Sequence, residues 1–182
     1  MTKTRNRLIA VGIALLLIIA AAVFIFPAKS ANAEDAWDGI TTTAFTGSGT
    51  QADPYVISSG AQLAFLAERI NSGAEGYTYK NYKLTADIDL GNQPWTPIGT
   101  KSYPFTGTFD GDGHIIKNLT STSGKDGYAG LFGANSGTIK NVYLDTVNIS
   151  TTGGYAAALC VVNNADATIE GCAVLSGNVE AS

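Results

Sequence analysis

Four aspartates in two i, i+2 pairs are the residues of this sequence best placed to do chemistry. Asp87 and Asp89 alternate with apolar residues in the run YKLTADIDL, residues 82–90, so both side chains leave the same face of a strand. Asp110 and Asp112 share the turn Asp110-Gly111-Asp112-Gly113. Paired carboxylates of this kind can serve as acid and base on a glycosidic bond, or hold a calcium ion. The turn lacks the other ligands of a calcium loop, above all a distant bidentate glutamate, so no cofactor is expected and calcium could bind at most weakly. Acids alternating along a solvated strand face are also ordinary surface, which is the alternative reading of all four.

Other chemistries fare worse. The sequence has one histidine, His114, in the same glycine-rich turn, and no Ser-His-Asp or Cys-His set can be built around it. The zinc-protease signature H-E-x-x-H is absent. Cys160 and Cys172, with a single distant histidine, do not match the usual zinc spacings. They are a candidate disulfide if the chain is exported, or else two small apolar thiols in a core. Aromatic side chains offer a binding surface instead: Trp37, Tyr77, Tyr79, Trp95, Tyr103 and Tyr128 have the chemistry to stack on sugar rings or meet a protein. Trp95, between Pro94 and Pro97, also reads as a packed corner. The candidate binding set is therefore Trp95, Tyr103, Asp87, Asp89, Asp110 and Asp112, with no catalytic residue and no metal ligand assigned.

The elements that must position these residues begin after an export segment. Lys3, Arg5 and Arg7 precede an apolar run over residues 8–26, Pro27 ends it, and Ala31-Asn32-Ala33 fits a peptidase site. Residues 1–33 read as a signal sequence cut after Ala33. The run is also long enough for an uncleaved anchor, the only membrane contact expected. With its four basic residues removed, 7 Lys+Arg face 15 Asp+Glu, a formal charge of −8. Such a surface is a poor match for a phosphate backbone, which argues against nucleic acid as a partner.

Residues 34–81 read as a lead-in carrying one helix. Ser59 and Gln62 have capping-box spacing, and Leu63, Leu66, Ala67 and Ile70 fall on one helical face over 59–71. Residues 82–90 alternate as a single half-buried strand. Beyond them, over 82–182, short apolar ribbons recur between glycine and asparagine corners. Ile116-Lys117-Asn118-Leu119 returns as Ile139-Lys140-Asn141-Val142 and, degraded, as Ile169-Glu170-Gly171-Cys172. Tyr128-Ala129-Gly130-Leu131 returns as Tyr155-Ala156-Ala157-Ala158. Ribbons this short cannot bury an apolar face alone. A spacing of roughly 20–30 residues with uneven loops marks stacked repeats. The expected fold is all-β: a right-handed parallel β-helix of roughly three to five coils, capped at its start by the helix over 59–71. Asn118 and Asn141 are expected at equivalent strand ends, stacked as a ladder. The C-terminal edge, read as uncapped, predicts end-to-end self-association.

Two passages resemble a known family. Gly127-Tyr128-Ala129-Gly130-Leu131-Phe132-Gly133 looks like the GLUG motif, G-x-x-G-L-aromatic/aliphatic-G. Upstream, Asp53-Pro54-Tyr55-Val56-Ile57, Trp95-Thr96-Pro97-Ile98-Gly99 and Phe105-Thr106-Gly107-Thr108-Phe109-Asp110-Gly111 are similar to the N-terminal region of bacterial surface β-helix proteins carrying that motif. The resemblance covers about residues 46–145. It implies an exported bacterial protein of adhesin type; some proteins with these repeats are immunoglobulin-cleaving metalloproteases, with the repeats outside the catalytic part. The copy at Gly154 to Cys160 has lost the Gly-Leu and final Gly positions.

The expected function is a secreted or cell-surface binding module without a reaction of its own, engaging a glycan or protein of a host or neighbouring cell. One alternative is a carbohydrate-active β-helix enzyme, or a fragment of one, using the surface aspartates. The other is a structural N-terminal fragment of a longer surface protein.

Overall fold

The structure, a computed structural model, describes residues 36–42, 45–122 and 124–182. The export segment over 1–33 and its cut after Ala33 lie outside the described residues.

The chain makes successive passes of short strands. β1 (Tyr55–Ile57) opens the first, and β2 (Asn81–Leu84) and β3 (Ile88–Asp89) the second. The third holds β4 (Thr108–Asp110), β5 (Ile115–Lys117), β6 (Thr120–Ser121), β7 (Tyr128–Ala129) and β8 (Phe132–Asn135). The fourth repeats it as β9 (Thr138–Lys140), β10 (Tyr143–Asp145), β11 (Val147–Thr151), β12 (Tyr155–Ala156) and β13 (Cys160–Asn163). β14 (Thr168–Glu170), β15 (Ala173–Val174) and β16 (Gly177–Ala181) form the last. Every pairing between these strands is parallel, with partners 27–30 residues apart. The ladders form five sheets, the largest ordered β1-β2-β4-β9-β14.

Parallel pairing lines like residues up with like. Tyr82, Phe109, Ile139 and Ile169 are successive register partners, as are Ile88, Ile116, Leu144 and Val174. All but the last member of each column are sealed from solvent. Removing this apolar surface from water is the main stabilising term, about 25 cal/mol per Å². Phe105, Phe109 and Phe132 fill the interior between sheets, with ring centroids 5.4–5.5 Å apart. The glycines of the 127–133 segment follow from the spacing of the passes. A Cβ on Gly130 would stand 2.3 Å from the Ala157 carbonyl oxygen of the next pass, and one on Gly133 the same distance from Gly99 O of the pass before.

One α-helix, α1 (Gly60–Asn71), occurs among the described residues. Ser59 is its N-cap, its hydroxyl accepting from Gln62 N. The Gln62 side chain reaches back to accept from Ser58 N at 2.8 Å. Leu63, Leu66, Ala67 and Ile70 are buried as the periodicity predicts, and join the same apolar cluster as the strands. Asn71 ties the helix end to the second pass, donating to Pro97 O and accepting from Gly99 N.

The structure corrects four expectations. The alternating run 82–90 is two strands, not one: β2 pairs with β4 and β3 with β5, so the chain turns a corner between sheets at Thr85–Asp87. Asp89, the register partner of Lys117, is buried at 8% exposure rather than set on a solvated face. The copy 23 residues on is not a ladder partner, because Ile116 pairs with Leu144 while Ile139 pairs with Phe109 and Ile169. Asn118 and Asn141 thus sit at two different corners and do not stack. They look alike because both corners require a left-handed residue, with φ of 57° and 54°. Of the two readings of the cysteines, the structure has the free thiols at Cys160 and Cys172. Cys160 opens β13 and Cys172 lies between β14 and β15, and each Sγ contacts a carbonyl of its own local chain, Val162 O at 3.3 Å and Glu170 O at 3.2 Å.

Candidate functional site

The predicted carboxylates come to the flank of the stack, and each is already occupied. Asp89 Oδ1 accepts from Gly91 N at 2.9 Å and from Asn118 Nδ2 at 2.8 Å, while Lys117 Nζ stands 3.4 Å from Oδ2. Asp110 repeats the arrangement one sheet away. Its Oδ1 accepts from Asp112 N at 2.9 Å and Asn141 Nδ2 at 3.0 Å, and Lys140 Nζ is 3.2 Å from Oδ2. In both, a strand-ending Lys-Asn pair reaches back to the aspartate of the pass before. The similar chemistry of the two corners is therefore a staple between passes.

Electrostatics follow the same geometry. Burial alone would raise the pKa of Asp89, but the bonds from Asn118, Gly91 and Lys117 outweigh it and hold the carboxyl below its usual range. Asp110 behaves alike: burial is opposed and outweighed by Asp112 N, Asn141 and Lys140. A general acid at neutral pH needs the opposite shift. Asp87 Oδ1 accepts from Ile115 N at 3.0 Å and lies 3.1 Å from His114 Nδ1, joining two corners. Asp112 pairs with Lys83 at 3.0 Å.

The aromatic set divides. Trp95 is buried, its Nε1 donating to Leu131 O at 3.1 Å and its ring edge-on to Trp37 at 5.7 Å. Tyr77 packs among Phe45, Phe65 and Tyr55, and Tyr128 is buried too. Tyr79 and Tyr103 are exposed, and the Tyr103 ring lies against Gly73. The six do not form one stacking platform. Trp95 and Tyr103 also separate, one in the interior and one on a loop.

Two features escaped the sequence reading. An open cleft of about 490 Å³ lies between α1 and the second pass, bordered by Trp37, Ala64, Ala67, Glu68, Asn71 and Trp95. Asn135, fully buried, bonds to Asn163 one pass on, Nδ2 to Oδ1 at 2.8 Å. Asn135 is followed by Ser136-Gly137 and Asn163 by Asn164-Ala165, and an asparagine in such a setting reads as a loop.

Parallel ladders, with one short α-helix among the described residues, define a mostly β protein. Over 133 residues the chain is 38% identical to "Halomucin" of Haloquadratum walsbyi, covering 64% of this chain and 1% of that protein. It is 29% identical over 133 residues to a "Putative Gly-rich membrane protein" of Evansella cellulosilytica, covering 72% of this chain and 15% of that one. The chain thus spans a small part of the length of both relatives. A crystal structure of a "putative immunoglobulin A1 protease from Bacteroides ovatus" matches with a TM-score of 0.55 and 22% identity, over 73% of this chain and 50% of that one. A likeness at that identity concerns the fold alone. No family model matches the chain.

Proposed function

We propose that this chain is an exported surface module that works by binding. In this reading residues 82–182 form a right-handed parallel β-helix, residues 34–81 a lead-in whose helix α1 covers its first coil, and residues 1–33 the export signal or anchor. The flat, stapled flanks hold a fixed face toward a glycan or protein of a host or neighbouring cell. No reaction and no cofactor is assigned. The carrying observation is that Asp89 and Asp110, the best-placed carboxylates, are committed to staples between passes and held below the usual carboxylate range. Similarity to proteins named for a mucin and for a membrane supports a place at the cell surface. The GLUG-like segment and the likeness in fold to the "putative immunoglobulin A1 protease" structure support the β-helix.

The test is to incubate the chain with an array of immobilised polysaccharides and glycoproteins and to score retention and product together. Retention without new reducing ends or unsaturated sugars is expected. Release of such products, lost on joint Asp87→Asn, Asp89→Asn, Asp110→Asn and Asp112→Asn substitution, would transfer the protein to the carbohydrate-active enzymes.

A further inference from the structure

The flanks of the stack differ in how their outward side chains are engaged. On the two larger sheets they are charged and paired: Lys83 with Asp112, Lys140 with Asp110 and Lys117 with Asp89. The flank built on β6 and β11 is uncharged from the second pass to the fourth. Pro94 is bridged to Thr120, and Thr120 is the register partner of Asn148. Two residues further along the same passes stand Thr96, Thr122 and Ser150, on the same side because side chains in a strand repeat every two residues. Ser121 and Ile149, in between, are fully buried. Among the described residues, the side chains of Thr96, Thr120, Thr122, Asn148 and Ser150 have no hydrogen-bond or ion-pair partner. They form a grid stepping about 4.8 Å from pass to pass and about 6.6 Å along the strand. In the last pass Asn178 and Glu180 bond to each other instead. The grid faces sideways: β11 is paired along both edges, with β6 and β16, so a further pass of chain stacked on either end would leave it open. At its second-pass end the grid runs into the cleft of about 490 Å³, which Pro94 and Thr96 also border. Trp37 and Trp95, the two tryptophans of the sequence, wall that cleft, and their indole N–H groups are already given to Ile40 O and Leu131 O. The rings therefore offer the cleft apolar surface alone.

We infer that this flank and the cleft continuing it form one binding face, and that its ligand is a neutral polysaccharide. Each hydroxyl, and the Asn148 amide, can both donate and accept. A polymer carrying hydroxyls on most of its carbons matches such a grid, and the apolar faces of its rings suit an aromatic wall. An anionic polymer matches less well, because the residues from 34 onward carry a formal −8 and no Lys or Arg stands on the grid. A peptide cannot add here as a strand, since both edges of β11 are used. The inference rests on the binding role proposed above and adds to it the face and the class of ligand.

In the experiment the full chain is immobilised on a biosensor surface and meets three series: soluble mannan, amylose and mixed-linkage β-glucan; polygalacturonate and hyaluronan; and a glycoprotein before and after removal of its glycans. At least one neutral polymer is expected to bind, and more tightly than either anionic one. Joint Thr96→Ala, Thr122→Ala and Asn148→Ala substitution, at three exposed positions, should weaken that binding by about tenfold or more with the urea midpoint unchanged. Asn148→Ala alone should cost about threefold. Thr138→Ala, on the charged flank, should leave the binding as it was. Neutral-polymer binding that both flank variants retain in full would overturn the assignment of this face while the binding role stood. Binding confined to the anionic polymers, or to the glycoprotein with its glycans removed, would overturn the class of ligand in the same way. No binding in any series would contradict the inference and the binding role together.

Discussion

Asn135 donates from Nδ2 to Asn163 Oδ1 at 2.8 Å, one pass away in the parallel stack. Asn135 is fully buried, and its own Oδ1 accepts from Gly137 N at 3.0 Å. The bond closes a polar corner inside an otherwise apolar interior, and Asn163 extends it to Ala167 O. Replacing Asn135 with Ala leaves Gly137 N and Asn163 Oδ1 short of a partner. The expected loss is about 2–4 kcal/mol of unfolding free energy, read from urea melts. Asn163→Ala, at an exposed position, should cost less.

Asp89 supplies a pH signature. Its folded pKa lies below the unfolded value, so its contribution is fully present above the unfolded carboxylate pKa of about 3.9. It is lost as pH falls through the folded pKa. The parent chain should weaken as pH drops from 5 towards 3, to a degree that Asp89→Asn makes shallower. At pH 7 that variant should be less stable by about 1–3 kcal/mol. Urea midpoints across the pH range measure both effects.

The thiols carry the third prediction. Burial pushes the Cys160 thiol up to about 11, against weaker opposing bonds from backbone groups, and burial raises Cys172 as well. Thiolate is the reacting species, so at pH 8 Cys160 should react with iodoacetamide on the order of 100-fold more slowly in the folded chain than in urea. Intact mass of the unreduced protein should show two alkylatable thiols after unfolding. A mass two units lower, with no labelling, would mean a bridge.

Gly130 tests the spacing between passes. Its added Cβ would meet backbone rather than a yielding side chain, at 2.3 Å from Ala157 O. Gly130→Ala is expected to destabilise by about 2–4 kcal/mol. Gly76→Ala is the control, since nothing lies within 4 Å of its Cβ, though its φ of 90° adds a smaller strain.

How far the sequence carried the fold varies by residue. Helix α1 was legible because its cap and its 3.6-residue stripe agree. Tyr128 and Tyr155 were aligned correctly, as were Ile139 and Ile169, because true ladder partners keep the 27–30 residue interval. The 23-residue match of Ile116 to Ile139 misled, since separate corners impose one local demand: an apolar residue, a lysine for the aspartate behind, and an asparagine tolerant of positive φ. Asp89 escaped because alternation continues across a corner, so period alone cannot place the break. For the candidate site, the sequence picked out carboxylates that the structure brings together with Lys117, Asn118, Lys140 and Asn141. It could not show that those partners occupy them, because each comes from about 28–31 residues downstream.

The parallel stack itself is most directly tested by hydrogen-bond scalar couplings in isotope-labelled protein. Three threonine amides make the same bond in successive passes: Thr108 N to Lys80 O, Thr138 N to Gly107 O and Thr168 N to Gly137 O, each 2.9 Å. Couplings from those amides to those three carbonyl carbons are predicted. Couplings linking the same amides to carbonyls in antiparallel order, or in the adjacent strand along the chain, would contradict the account.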